Sequence, residues 1–175
     1  GLSENEVIKF GDNVASKIKE HLDHVDKINN RKEIPNKIKK KHEMRANRKI
    51  GNIVDELHWK VINNLTKNYK TILLGDMSIK GIVNKTTSNI TKMTKRIGYK
   101  MKFYKFQQRL KYKCDRNNIG FKLVDEKYTS KVCSHCGYKK EDLGGNKVYK
   151  CDGCKKKIDR DVNGCRGIYI KSRCQ

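Results

Sequence analysis

The segment from Tyr128 to Asn163 reads YTSKVCSHCGYKKEDLGGNKVYKCDGCKKKIDRDVN, and its reading decides the fold. Four cysteines fall within it as Cys133-x2-Cys136 and Cys151-x2-Cys154, with fourteen residues between the pairs. Two thiolates at this spacing approach one ion from a single tight turn, and two such turns joined by a hairpin complete a closed tetrahedral zinc site. Gly137 and Gly153 suit the turns, and Gly144-Gly145 suits a hairpin apex. Disulfides fit less well, because the chain is lysine-rich, seven cysteines is an odd number, and the spacing is that of a metal site. Four thiolates leave no coordination position open to water, so the zinc is expected to be structural. His135, inside the first turn, is read as exposed or as a neighbour of the site. Cys114, Cys165 and Cys174 are read as small buried or reduced surface residues.

Around this segment the charge is one-sided. The 175 residues carry 42 Lys and Arg against 19 Asp and Glu, a net charge of +23. That much positive charge repels itself in a compact fold and finds compensation on a polyanion. Nucleic acid is the first candidate and an acidic membrane surface the second. AT-rich coding alone would account for lysine over arginine, but not for the shortage of acids. No apolar run has the length that a bilayer span requires. A reducing intracellular compartment is expected, the nucleus if the host is eukaryotic or viral. The chain opens on Gly1 rather than Met, and GLSENEVIKFGDN reads as the middle of something longer, a fragment or a processed product, so the absence of a signal peptide says little about compartment.

Upstream, residues 1–12 read as a short strand and turn, with Val7, Ile8 and Phe10 between polar residues. Val14, Ile18, Leu22, Val25 and Ile28 recur at helical steps, which predicts an amphipathic helix that Pro35 stops. A second helix is expected from about Asn36 to Asn68. Its second half places Ile50, Ile53, Val54, Leu57, Val61 and Leu65 on one face, with Trp59 read as core. Its first half is almost purely basic: Lys37, Lys39, Lys40, Lys41, Arg45, Arg48 and Lys49 form either a solvated surface or a stripe that tracks phosphates. Thr71-Ile72-Leu73-Leu74, closed by Gly75-Asp76, predicts a buried strand. After the polar stretch NKTTSN, one helix is expected through Ile97, Met101, Tyr104 and Leu110, and another strand through Phe121–Asp125. Alternating helices and strands predict an α/β layer around a sheet.

The order YTS, two CxxC turns and DRDxN resembles the C-terminal half of the TnpB nucleases of insertion elements. The resemblance is closer still to their eukaryotic and viral Fanzor relatives, and extends to compact type V CRISPR effectors. More weakly, it continues upstream through VDELHWKVINNLTKNYKTILLGDMSIKGIV. It implies a partial RNase H-like, RuvC-type domain with long helices and an inserted four-cysteine zinc ribbon. The implied divisions are 1–127 for the incomplete RuvC-like portion, 128–158 for a ribbon that binds target nucleic acid, and 159–175 for the last motif and C-terminal helix. The implied partners are a DNA target and a guide RNA, with no membrane, and the implied reaction is phosphodiester hydrolysis with Mg²⁺. Such hydrolysis needs several carboxylates converging on hard divalent ions.

Carried over by position, the last catalytic acid falls on Asp161, with Arg160 beside it toward a phosphate. A plain helix cap is the alternative role for Asp161. The glutamate that prokaryotic members keep at the end of the first strand corresponds here to Gly75. Fanzor-type proteins lack it too and take one from an adjacent strand, which points to Glu126, with Asp76 as the alternative. Strand alternation sends Asp125 and Glu126 to opposite faces, so one of them at most enters the site. The first catalytic aspartate is expected upstream of Gly1, and this chain alone is then expected to be inactive. Two other readings compete: a non-catalytic zinc-ribbon module for nucleic acid, left by a decayed transposase, and a zinc-ribbon transcription or ribosomal factor. The last leaves DRDVN without a role.

Overall fold

The structure, a computed structural model, describes residues 7–76, 90–142, 144 and 146–173. Met77, the stretch NKTTSN, Gly145 and Cys174 lie outside the described residues. The described residues fall into two compact units. One draws on Gly1–Lys9, Tyr69–Met77 and Asn118–Gln175, the other on Phe10–Asn68 and Ser78–Asn117.

The second unit is helical. It holds α1 (Val14–Asn29), α2 (Asn36–Asn68), α3 (Lys92–Lys100) and α4 (Phe103–Arg116). The four-residue recurrence on α1 buries Ile18, Leu22 and Val25 against α2, where Ile18 and Leu22 meet Ile50 and Val54. Met93, Ile97 and Met101 close over the same cluster. Arg96 of α3 grips Asp26 of α1 through two hydrogen bonds of 2.6 and 3.0 Å. That contact, ahead of the neighbouring positive charge, holds the Asp26 carboxyl below its ordinary range.

Three expectations are corrected in this unit. The buried line of α2 runs through Ala46, Ile50, Val54, His58 and Ile62, four residues apart, with Ile53, Leu57, Val61 and Leu65 only half-buried beside it. Reading apolar residues alone passed over His58, which is 3% exposed. Trp59 is 40% exposed, with the Arg109 guanidinium 5.3 Å above its ring, so it is no core residue. Finally, the helix expected through Met101 is two helices. Lys102 takes a left-handed conformation (φ 50°, ψ 48°) and breaks the ladder.

His58 supplies the physical reason for that break. A carbonyl oxygen can only accept, so His58 Nε2–H donates to Met101 O at 3.0 Å at the end of α3. Nδ1 is then bare and accepts from Arg109 Nη1 at 3.2 Å, while the same Nη1 donates to Asp55 at 2.7 Å. The arrangement requires a neutral imidazole. Burial, with the Arg109 charge adding, holds the His58 pKa below its ordinary 6.5.

The other unit contains β1 (Thr71–Asp76), β2 (Gly120–Asp125), β3 (Val148–Lys150), β4 (Lys157–Asp159) and α5 (Arg160–Arg173). Strands β1 and β2 are parallel, paired from Thr71 with Gly120 to Asp76 with Asp125. The chain between them is long, as a parallel crossover demands. Strands β3 and β4 form an antiparallel hairpin, and α5 follows directly and packs on both strand pairs. Residues 7–12 show one β-bridge at Val7 and a turn in place of the expected strand.

The neutral His58 makes the helical unit sensitive to pH. A folded pKa below the unfolded value means that the unfolded chain binds the proton more readily. Stability is therefore full above about 6.5 and falls as pH drops from there toward the folded pKa. Urea unfolding followed by Trp59 fluorescence should show a midpoint that declines between pH 7.5 and about 5.5. His58→Gln should flatten that decline. An unchanged slope in the variant would remove His58 as its cause.

Candidate metal centre and acid cluster

The ribbon starts from two turns closed by their own backbone. Cys133 N–H donates to Tyr138 O at 2.8 Å, Gly137 N–H to Cys133 O at 2.9 Å, and Cys151 N–H to Lys156 O at 2.9 Å. These bonds bring the four sulfurs of Cys133, Cys136, Cys151 and Cys154 within 4.8 Å of one another. Cys133 and Cys154 are 3.9 Å apart, Cys136 and Cys151 3.5 Å. A tetrahedral zinc with bonds of about 2.3 Å sets its sulfurs about 3.8 Å apart, so the thiol set fits that ion. Burial opposes a Cys151 thiolate, but the Cys154 amide and the neighbouring thiols outweigh it and draw its pKa down.

Tyr149 fills the space beneath, 2% exposed, its hydroxyl donating toward Lys131 O at 3.1 Å. Burial first, and then the surrounding thiols, pushes its pKa up to about 12, so it stays a donor. His135 is exposed, with its Nδ1 3.5 Å from Lys156 Nζ.

The acids lie at the strand ends. Asp76 closes β1 and Asp125 closes β2 opposite it. Asp125 accepts from Lys171 Nζ at 2.8 Å and from the Lys127 amide at 3.0 Å, which engages it with the far end of α5. Glu126, the residue after β2, is half-buried. Its carboxylate occupies the space above Gly75, where a Cβ would overlap Oε1, Cδ and Cγ of Glu126. Burial, and then the charges of Asp76 and Asp125, push the Glu126 carboxyl up.

Asp161 lies in the first turn of α5, exposed. The cap expected as its alternative role belongs to Asp159, whose Oδ1 accepts from the amides of Asp161 at 2.9 Å and Val162 at 3.2 Å. Asp161 is thereby free of capping. One turn further, the half-buried Cys165 thiol is pushed up by burial and also by the charges of Asp161, Glu126 and Asp159. Among the described residues, the four cysteines are the one group of three or more His, Cys, Asp or Glu placed to hold a metal ion.

Arg160 donates from Nη1 to Gly144 O at 3.0 Å, so its guanidinium rests on the ribbon. The basic set on α2 is exposed at Lys37, Lys40, Lys41, Arg45, Arg48 and Lys49, while Lys39 is half-buried and donates to Asn29 O at 3.1 Å. Reading the sequence missed the part played by Asn163, the last residue of DRDVN. It is 0% exposed, and its amide joins the backbone on both sides of Cys133. A small polar residue two places after a candidate acid was the available signal.

Comparison with known proteins follows the same geometry. Residues 103–168 match the family described as Cas12f1-like, TNB domain. A TnpB-like protein of Acanthamoeba polyphaga mimivirus is 31% identical over 94% of this chain and 28% of its own length. The chain belongs to the TnpB-like family. A putative transposase of Paramecium bursaria Chlorella virus 1 is 29% identical over 75% of this chain and 29% of its own. For a TnpB-like protein of Methanocaldococcus jannaschii the figures are 29%, 76% and 46%. This TnpB-like chain thus spans less than half the length of these relatives. A solved Cas12f1, bound to sgRNA and target DNA, shares its fold with a TM-score of 0.64 at 16% identity, covering 90% of this chain and 41% of that one.

The thiol geometry carries a direct expectation. The reduced chain should hold one zinc, and Cys151→Ser should lower its zinc content and melt residues 128–158, since a hairpin with so small a core relies on the metal. Metal analysis and the NMR dispersion of Tyr149 report both effects. A folded, reduced chain without zinc would contradict the assignment.

Proposed function

We propose that this chain is the C-terminal part of an RNA-guided DNA endonuclease, in which Asp161 and Glu126 hold Mg²⁺ for phosphodiester hydrolysis. The observation that carries this reading is the exchange at the strand ends: residue 75 has no side chain, and Glu126 fills the space it leaves. A half-buried carboxylate beside Asp76 and Asp125 is disfavoured as an anion, and a divalent cation there would restore its charged form. When bound, Mg²⁺ polarises the phosphate and lowers the pKa of the attacking water. Asp159 fixes the first turn of α5 and so orients Asp161, while Lys171 keeps Asp125 out of the site. The β1–β2 pair with α5 supports an RNase H-like, RuvC-type assignment for residues 1–127 and 159–175, with residues 128–158 as a ribbon that binds target nucleic acid. DNA target and guide RNA as partners draw support from the likeness to a protein solved with both.

The test is an exchange of ligands in the full-length polypeptide. Asp161→Ala and Glu126→Gly should each abolish cleavage and leave nucleic-acid binding nearly intact, whereas Asp76→Asn should cleave. Gly75→Glu alone should fail, because two side chains contend for one space. Combined with Glu126→Gly it should regain cleavage. Loss of cleavage with Asp76→Asn but not with Glu126→Gln would transfer the role to Asp76. Full cleavage by Asp161→Ala would leave a module that only binds nucleic acid.

The basic half of α2 is proposed to track phosphates. Each phosphate contact contributes about −0.7 to −0.9 to the slope of log K against log salt, so neutralising Lys40, Arg45 and Arg48 should flatten the slope by about 2 to 3. An unchanged slope would make this face a solvated surface only.

A further inference from the structure

We infer that Asn163 is a positioning residue that transmits the state of the zinc ribbon to the helix turn bearing Asp161. The consequence for divalent metal rests on the function proposed above; the transmission itself does not. The Asn163 carboxamide spans both peptide groups that flank Cys133. Its Oδ1 accepts from Ser134 N–H at 2.9 Å, and its Nδ2 donates to Val132 O at 2.8 Å. Cys133 is 1% exposed and faces the other three sulfurs, so the ligand is held on one side by the ion it would bind and on the other by Asn163.

A second anchor lies three residues earlier on the same helix. Arg160 N–H donates to Lys147 O at 2.8 Å, and its guanidinium holds Gly144 O at 3.0 Å. Asp161 thus sits between two residues tied to opposite limbs of the ribbon. One limb carries the Cys133 turn and the other leads into β3 and Cys151.

The residue type at 163 follows from this placement. The two ribbon groups are one donor and one acceptor, and a short carboxamide is the side chain that offers both complements. Aspartate keeps the acceptor and loses the donor, and alanine loses both. An outer partner of a metal ligand at this position alters metal affinity or activity by about 10- to 100-fold when removed.

Hydrogen exchange of the amides of Asp161 and Val162 tests the transmission in the 175-residue chain, with zinc bound and after chelation. In the parent chain, removal of zinc should speed exchange at these amides about tenfold or more. In Asn163→Ala, still holding one zinc, they should exchange fast already and respond little to chelation. Asn163→Asp should fall between the two, and it decides the matter if the alanine variant does not fold. A merely structural role would lower stability yet leave the zinc response additive. Exchange unmoved by chelation in the parent chain, or a full zinc response in the variant, overturns the inference.

Mn²⁺ supplies the second readout, through paramagnetic broadening of Glu126 and Asp161. Asn163→Ala should weaken it severalfold with zinc retained. Equal Mn²⁺ affinity in parent and variant would overturn the positioning role. No broadening in the parent chain would instead count against the proposed metal acids, while the exchange measurement would still decide the transmission.

Discussion

Four thiols drawn within 4.8 Å of one another are the constraint on which the ribbon half of the structure depends. As thiolates they repel, and a hairpin of this size has only Tyr149 and a few neighbours to oppose the repulsion. A divalent cation reverses the sign of the interaction, so that the repelling groups become the attachment points of the fold. The turns at Cys133 and Cys151, the buried Tyr149 and the β3–β4 hairpin all surround that centre. Because α5 leaves β4 without a connecting loop, its first turn begins where the ribbon ends.

The local part of this was legible in the sequence. Metal-binding turns are built from residues three apart, so Cys133, Cys136, Cys151 and Cys154 announce themselves by spacing alone. The same holds for α1, whose apolar residues recur at helical steps, and for the strands ending at Asp76 and Asp125. What escaped were residues whose role depends on a distant partner. His58 breaks the apolar pattern of α2, but it serves a carbonyl at Met101, and no periodicity reveals a partner 43 positions away. Trp59 looked like core by composition, and only the placement of Arg109 shows its ring half in solvent. Asn163 stood in plain view within a quoted motif, yet its partners lie 29 and 31 residues earlier.

The acid cluster mixes both kinds of information. Strand alternation predicts that Asp125 and Glu126 point apart, and the two carboxylates have different neighbours, Lys171 for one and Gly75 for the other. That Asp125 would be taken by Lys171, and that Asp159 rather than Asp161 would cap α5, required knowing where α5 lies. Chain geometry gives Asp125 and Asp159 duties that need no metal and, among the described residues, shows none for Asp76, Glu126 or Asp161.

The shared space of residues 75 and 126 also couples the two. A side chain at 75 and the present rotamer of Glu126 exclude each other, so the two positions are epistatic. A change at one of them is therefore felt first as a change in where the other carries its charge. A side chain at 75 would move the end of the Glu126 side chain and not the backbone, so the exchange re-aims a carboxylate while the strand pair keeps its register.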